Sequence, residues 1–168
     1  SLAYGSRGII YFTYWDVKEL ATNQGPAIIT MDGKRDKKYG YVRSINKRIA
    51  RLGPTLVRLT STGVYHTDPV PSGSQRLAGG APIKKADGGP MVIGCFRDAK
   101  GQDYIMPVNR SFRKKITARL TMKEEFLSAS EISQETGKLL APASLSPKTL
   151  DVPLEAGEGR LYLLNRKK

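Results

Sequence analysis

Gly8-Ile9-Ile10-Tyr11-Phe12-Thr13-Tyr14-Trp15 is the most informative stretch of the chain, a hydrophobic strand that ends in a cluster of aromatics. Both of its faces are apolar. Such a strand must be covered on both faces, as in a parallel sheet or a barrel. One strand cannot build that sheet alone, so its neighbours are expected elsewhere than in this sequence.

Working outward, residues 1–7 read as the end of a helix or a loop leading into the strand. Residues 16–26 are polar and irregular, with Asn23-Gln24-Gly25-Pro26 as a loop signal. Ala27 to Met31 suits a short extended segment, followed by a turn at Asp32-Gly33. Asp36 suits a helix N-cap. Val42, Ile45, Ile49 and Leu52 then recur at helical spacing, and Gly53-Pro54 interrupts the pattern. One more helical turn is expected over residues 55–59.

From about residue 60 the texture changes to short apolar runs separated by turn residues. Residues 63–67, 91–96, 102–109, 112–121, 126–132, 138–140, 150–154 and 160–164 read as strands. The pair joined by Asp98-Ala99-Lys100-Gly101 is the clearest hairpin. The Pro- and Gly-rich residues 68–90 read as a long loop with room for one short strand. Short strands at close spacing predict a mainly β fold, an antiparallel β-sandwich.

Composition agrees. The 168 residues include 17 Gly and 10 Pro, which suits a turn-rich β protein. The single cysteine, Cys95, excludes an internal disulfide framework and a cysteine-based zinc site. It lies in an apolar run and reads as a small buried hydrophobe. No stretch approaches the ~20 apolar residues of a membrane-spanning helix, and no leader pattern of a charged and then an apolar region opens the sequence. Compartment stays open.

Net charge is +13, and its distribution is uneven. Lys34, Arg35, Lys37, Lys38, Arg43, Lys47, Arg48, Arg51 and Arg58 face one acid, Asp36, between residues 34 and 58. That helix could lie along a nucleic-acid backbone. No nucleic-acid signature accompanies it, and an apolar seam with a basic stripe also describes an ordinary amphipathic surface helix. No specific nucleic-acid partner is expected.

A family resemblance covers most of the chain. The stretch from Leu2-Ala3-Tyr4-Gly5-Ser6-Arg7 through Trp15 resembles the last barrel strand of β-galactosidase-like glycoside hydrolases of clan A, close to family 42. Asp32-Gly33-Lys34 followed by Tyr39, Val42, Ile45 and Asn46, with Leu52-Gly53-Pro54, is similar to the helix that closes that barrel. Gly63-Val64-Tyr65-His66-Thr67 and Gly157-Glu158-Gly159-Arg160-Leu161 resemble the C-terminal β-sandwich of the same enzymes. The resemblance implies two parts. Residues 1–59 would be the last strand and helix of a (β/α)₈ barrel, and residues 60–168 an accessory antiparallel β-sandwich. It also implies a retaining β-glycosidase whose two catalytic glutamates, about 5 Å apart, stand on earlier barrel strands. The chain alone would then be inactive. Its substrate would be carbohydrate, met by Trp15 as the sugar platform, with Tyr14 and Asp16 as neighbours. The alternative is a non-enzymatic β-sandwich serving binding or assembly.

Other constellations are weak. Asp16 and Glu19 lie three residues apart on a loop, a poor match to a catalytic pair. Glu124 and Glu125 are adjacent, so their side chains diverge. His66, the only histidine, has Ser61, Asp68 and Ser72 near it in sequence. A triad is defined by geometry, however, and no G-x-S-x-G turn is present. Gly79-Gly80 and Gly88-Gly89 fit no phosphate-binding spacing. No metal or cofactor is expected.

Overall fold

A computed structural model describes residues 1–17, 27–77, 79–145 and 148–167. The chain is mainly β, with two antiparallel sheets and one α-helix among these residues. A 3₁₀ turn, Leu2–Tyr4, opens it. Helix α1, Lys37–Leu56, follows. The strands are β1 Thr60–His66, β2 Ile83–Asp87, β3 Met91–Arg97, β4 Asp103–Asn109, β5 Ile116–Met122, β6 Phe126–Ile132, β7 Ala143–Ser144, β8 Thr149–Leu154 and β9 Leu161–Arg166. One sheet runs β1-β3-β4-β9-β6-β7, and the other runs β2-β5-β8.

The sheets face each other across one core. Ile83, Ala118, Leu120, Met122, Leu150, Val152 and Leu154 of the small sheet meet Met91, Ile93, Cys95, Ile105, Phe126, Tyr162 and Leu164 of the large one. Strand periodicity explains the small sheet. In β5 and β8 every second residue points inward, and Arg119 and Asp151 point out and pair with each other.

The large sheet is covered on both sides, so its central strands are apolar throughout. Val92 and Phe96 of β3, Tyr104 and Met106 of β4, and Leu161 and Leu163 of β9 occupy the outer face. There they pack with Ala3, Leu52, Leu56 and Leu59. Burying each leucine contributes about 1.5–3 kcal/mol. This outer cluster unites residues on both sides of position 59.

Two glycines allow the close approach. A Cβ on Gly94 of β3 would lie 2.2 Å from the Ala3 carbonyl oxygen, so the 3₁₀ turn rests on the sheet where β3 carries no side chain. Gly137 (φ +72°) ends the turn after β6, and a Cβ there would lie 2.6 Å from the Arg51 carbonyl oxygen of α1.

Several local expectations hold. The Asp36 side chain caps α1 by accepting from the Lys38 N–H at 3.0 Å. Asp98 Oδ1 accepts from the N–H groups of Lys100 and Gln102 and so closes the β3–β4 hairpin. Three details differ. Helix α1 passes through Gly53-Pro54 to Leu56 instead of stopping at residue 52. Proline removes one hydrogen bond but holds a helical φ, and Leu56 is anchored in the outer cluster. Residues 138–140 form only an isolated bridge, Ile132 to Leu139, and the short strand β7 follows them. Residues 8–14 join no ladder. Backbone groups of an apolar run make a strand only where another strand supplies partners. The loop expected at 23–26 lies outside the described residues. Among the described residues, no helix is long and apolar enough to cross a membrane.

Candidate functional site

The aromatic stretch ends in a small three-stranded arrangement. The Asp16 N–H donates to the Ile29 carbonyl, and the Ile29 N–H donates to the Tyr14 carbonyl, both at 2.9 Å. Ile29 also bridges Arg35, just before α1. Ala27, Ile28 and Ile29 are buried. Asp16 Oδ1 accepts from the Ala27 N–H at 3.3 Å, which fixes the carboxylate to this bridge.

The three residues expected at a sugar mouth are therefore placed together, but on different sides. Trp15 is 50% exposed, and its ring edge lies over Gly33, where a Cβ would sit 3.8 Å from Cη2. Tyr14 is 60% exposed and lines a groove with Ile28, Tyr39, Val42, Arg43 and Asn46. Side chains of an extended chain alternate, which separates these neighbours. Tyr11 donates to Asn46 Oδ1 at 2.8 Å and ties the segment to α1. Ile10 and Phe12 are 96% and 77% exposed. Glu19, the acid paired with Asp16 in sequence, lies outside the described residues.

A second concavity opens between α1 and the end of β6. It encloses about 740 Å³ and is lined on one side by Ser44, Lys47, Arg48 and Arg51. The other side carries Glu131, Ser133, Gln134, Glu135, Glu158 and Arg160. Pairing of β6 with β9 sets Glu131 opposite Tyr162 and so brings these groups together. Glu131 Oε2 accepts from Tyr162 Oη at 3.2 Å and from Arg160 Nη1 at 3.4 Å. Burial first, and then the Glu131 charge, push the Tyr162 hydroxyl well above the usual phenol range. Burial works against the charge on Arg160, but Glu131 and Glu158 outweigh it and raise its pKa. Arg160 Nε lies 3.4 Å from Glu158 Oε1 without forming a hydrogen bond. Sequence reading did not single out Glu131, Gln134 or Glu135, because no local motif marks them and only strand register gathers them.

His66 is structural. It is 5% exposed; its Nδ1 lies 3.0 Å from Arg110 Nη1, and its Nε2 lies 2.7 Å from Tyr4 Oη. Arginine can only donate, so Nδ1 accepts and Nε2 carries the proton toward Tyr4. Burial and the Arg110 charge hold the imidazole below its ordinary pKa. Asp68 pairs with Arg76 at 2.6 Å instead of orienting this ring. Glu124 pairs with Lys84 at 2.8 Å. Cys95 is buried between the sheets, and its thiol is pushed up to about 12 by burial and then by the Asp103 charge. Among the described residues, no three His, Cys, Asp or Glu side chains gather as a metal site. No protein-family model, curated protein or solved structure matches the chain.

Proposed function

We propose that this chain is the C-terminal part of a retaining β-galactosidase-like glycoside hydrolase, with Trp15 as a sugar platform and Tyr14 and Asp16 beside it. The observation that carries the reading is the irregular apolar run 8–14, which leaves Ile10 and Phe12 in solvent and joins no ladder. An apolar segment of this kind gains stability when further strands cover it. A bridge, a capped helix and a β-sandwich follow it in the order of the resembling enzymes. The half-exposed indole of Trp15 is suited to sugar, whose C–H faces pack on rings, while Tyr14 and Asp16, its neighbours in sequence, turn to the other side.

In this reading, the two carboxylates of the retaining mechanism are supplied by preceding barrel strands. One forms the glycosyl ester, and the other protonates the leaving oxygen and then activates water. The test is to express the chain joined to the residues encoded before it and to follow an aryl β-galactoside by NMR. Hydrolysis with retained anomeric configuration is expected for the longer protein, with none for the chain alone. A coding sequence without a barrel of roughly 200 residues or more would overturn the reading, as would inversion.

A further inference from the structure

The groove between α1 and the β6–β9 wall plays no part in that mechanism, and its chemistry is lopsided. On the helix wall, Lys47 and Arg51 stand one turn apart, about 6 Å along the axis, with Arg48 beside them. All three are exposed, and none forms an ion pair among the described residues. No acid occurs in the sequence between Asp36 and Asp68, so the helix itself offers no neutralising partner. On the facing wall, Glu131 and Glu158 are both engaged by Arg160. Arg160 Nε is the buried side-chain polar atom left without a hydrogen bond among the described residues. Ser44, Ser133 and Gln134 add hydroxyl and amide groups. A cleft of about 740 Å³ has the size of a ligand site.

We propose that this groove binds an anionic oligosaccharide, with its sulfate or carboxylate groups on Lys47 and Arg51 and its hydroxyls on Ser44, Ser133 and Gln134. The choice of a sugar rests on the glycosidase reading; the choice of an anion rests on the unneutralised helix wall. Nucleic acid fits less well. The helix wall carries a single row of cations, the facing wall sets Glu131, Glu135 and Glu158 against Arg160 alone and would repel a second row of phosphates, and among the described residues no aromatic ring lines the groove for base stacking.

The test is calorimetric titration of the 168-residue chain with four probes. They are a sulfated galactan oligosaccharide, an oligouronate, a neutral galacto-oligosaccharide and a single-stranded DNA oligomer. One of the two anionic sugars should bind, more weakly as salt rises, and at least about tenfold more tightly than the neutral sugar. Which one binds identifies the anion. Lys47→Gln and Arg51→Gln should each weaken binding about tenfold. Arg113→Gln, in the loop before β5, should not. Equal binding of the neutral sugar, tighter binding of DNA, or unchanged affinity in well-folded Lys47→Gln and Arg51→Gln chains would overturn the proposal. The measurement involves no hydrolysis, so its failure leaves the glycosidase reading standing, and loss of hydrolysis in the longer protein leaves this one standing.

Discussion

Replacing Gly94 by alanine should detach the N-terminal turn from the sandwich. The added Cβ would stand 2.2 Å from the Ala3 oxygen and 2.9 Å from its carbonyl carbon. Ordinary contact requires about 3.5 Å, so the turn must retreat by more than about 1 Å. Overpacking of this kind costs about 1–3 kcal/mol. The turn can escape part of that cost only by giving up the burial of Ala3 and the Tyr4–His66 hydrogen bond. A destabilisation of about 1–3 kcal/mol is therefore expected, or a Tm lower by about 2–12 °C for a chain of this size.

His66 makes the effect visible, because it is the only histidine and gives one imidazole resonance in an NMR titration. In the folded chain its pKa lies below the ordinary 6.5, held there by burial and by Arg110. In Gly94→Ala it should move back toward 6.5, because Tyr4 no longer covers the ring. Tyr4→Phe removes the hydroxyl but keeps the cover, so it should move the pKa less. The linkage has a definite sign. An unfolded chain protonates near 6.5 and the folded one at lower pH, so the unfolded state binds more protons between the two values. Wild-type stability is full above about 6.5 and falls as pH drops through that window. In Gly94→Ala this acid sensitivity should shrink. An unchanged His66 titration together with an unchanged Tm would refute the contact between Ala3 and Gly94.

Three further outcomes follow from other parts of the molecule. Asp103→Asn should lower stability by about 1–3 kcal/mol in thermal unfolding, because its buried carboxylate accepts from both Arg97 and Arg166. The outward, half-exposed ends of those arginines keep the cost below that of a fully buried pair. Cys95 should resist an aromatic disulfide reagent at pH 8 in the native chain and react at once in denaturant, since its thiol is buried and pushed up to about 12; rapid native labelling would contradict its place in the core. Under the glycosidase proposal, Trp15→Ala in the longer protein should lower kcat/KM for an aryl β-galactoside about tenfold or more through lost stacking on the sugar, and unchanged kinetics would remove Trp15 from the proposed site.

Strand periodicity and turn chemistry made most of the sandwich legible. The hairpin at Asp98 to Gly101 and most of β5 were readable because turn residues and alternation are local signals. The length of α1 was not, because Pro54 is a local stop signal, whereas the burial of Leu56 against β3 and β9 is a tertiary fact. The same limit hid the polar groove. Glu131 and Arg160 lie 29 residues apart, and only the pairing of β6 with β9 brings them within 3.4 Å.

The requirement that a doubly apolar strand be covered twice applies within this chain to β3. Met91, Ile93 and Cys95 face the inner core, and Val92 and Phe96 face the cluster built by Ala3, Leu52, Leu56 and Leu59. The N-terminal segment and α1 thus serve as the second cover of the large sheet. Removing them would expose a contiguous apolar face on β3, β4 and β9, a liability for an isolated sandwich. Because the turn is seated on Gly94 and α1 on Gly137, both through backbone atoms, there is little freedom for them to slide over the sheet.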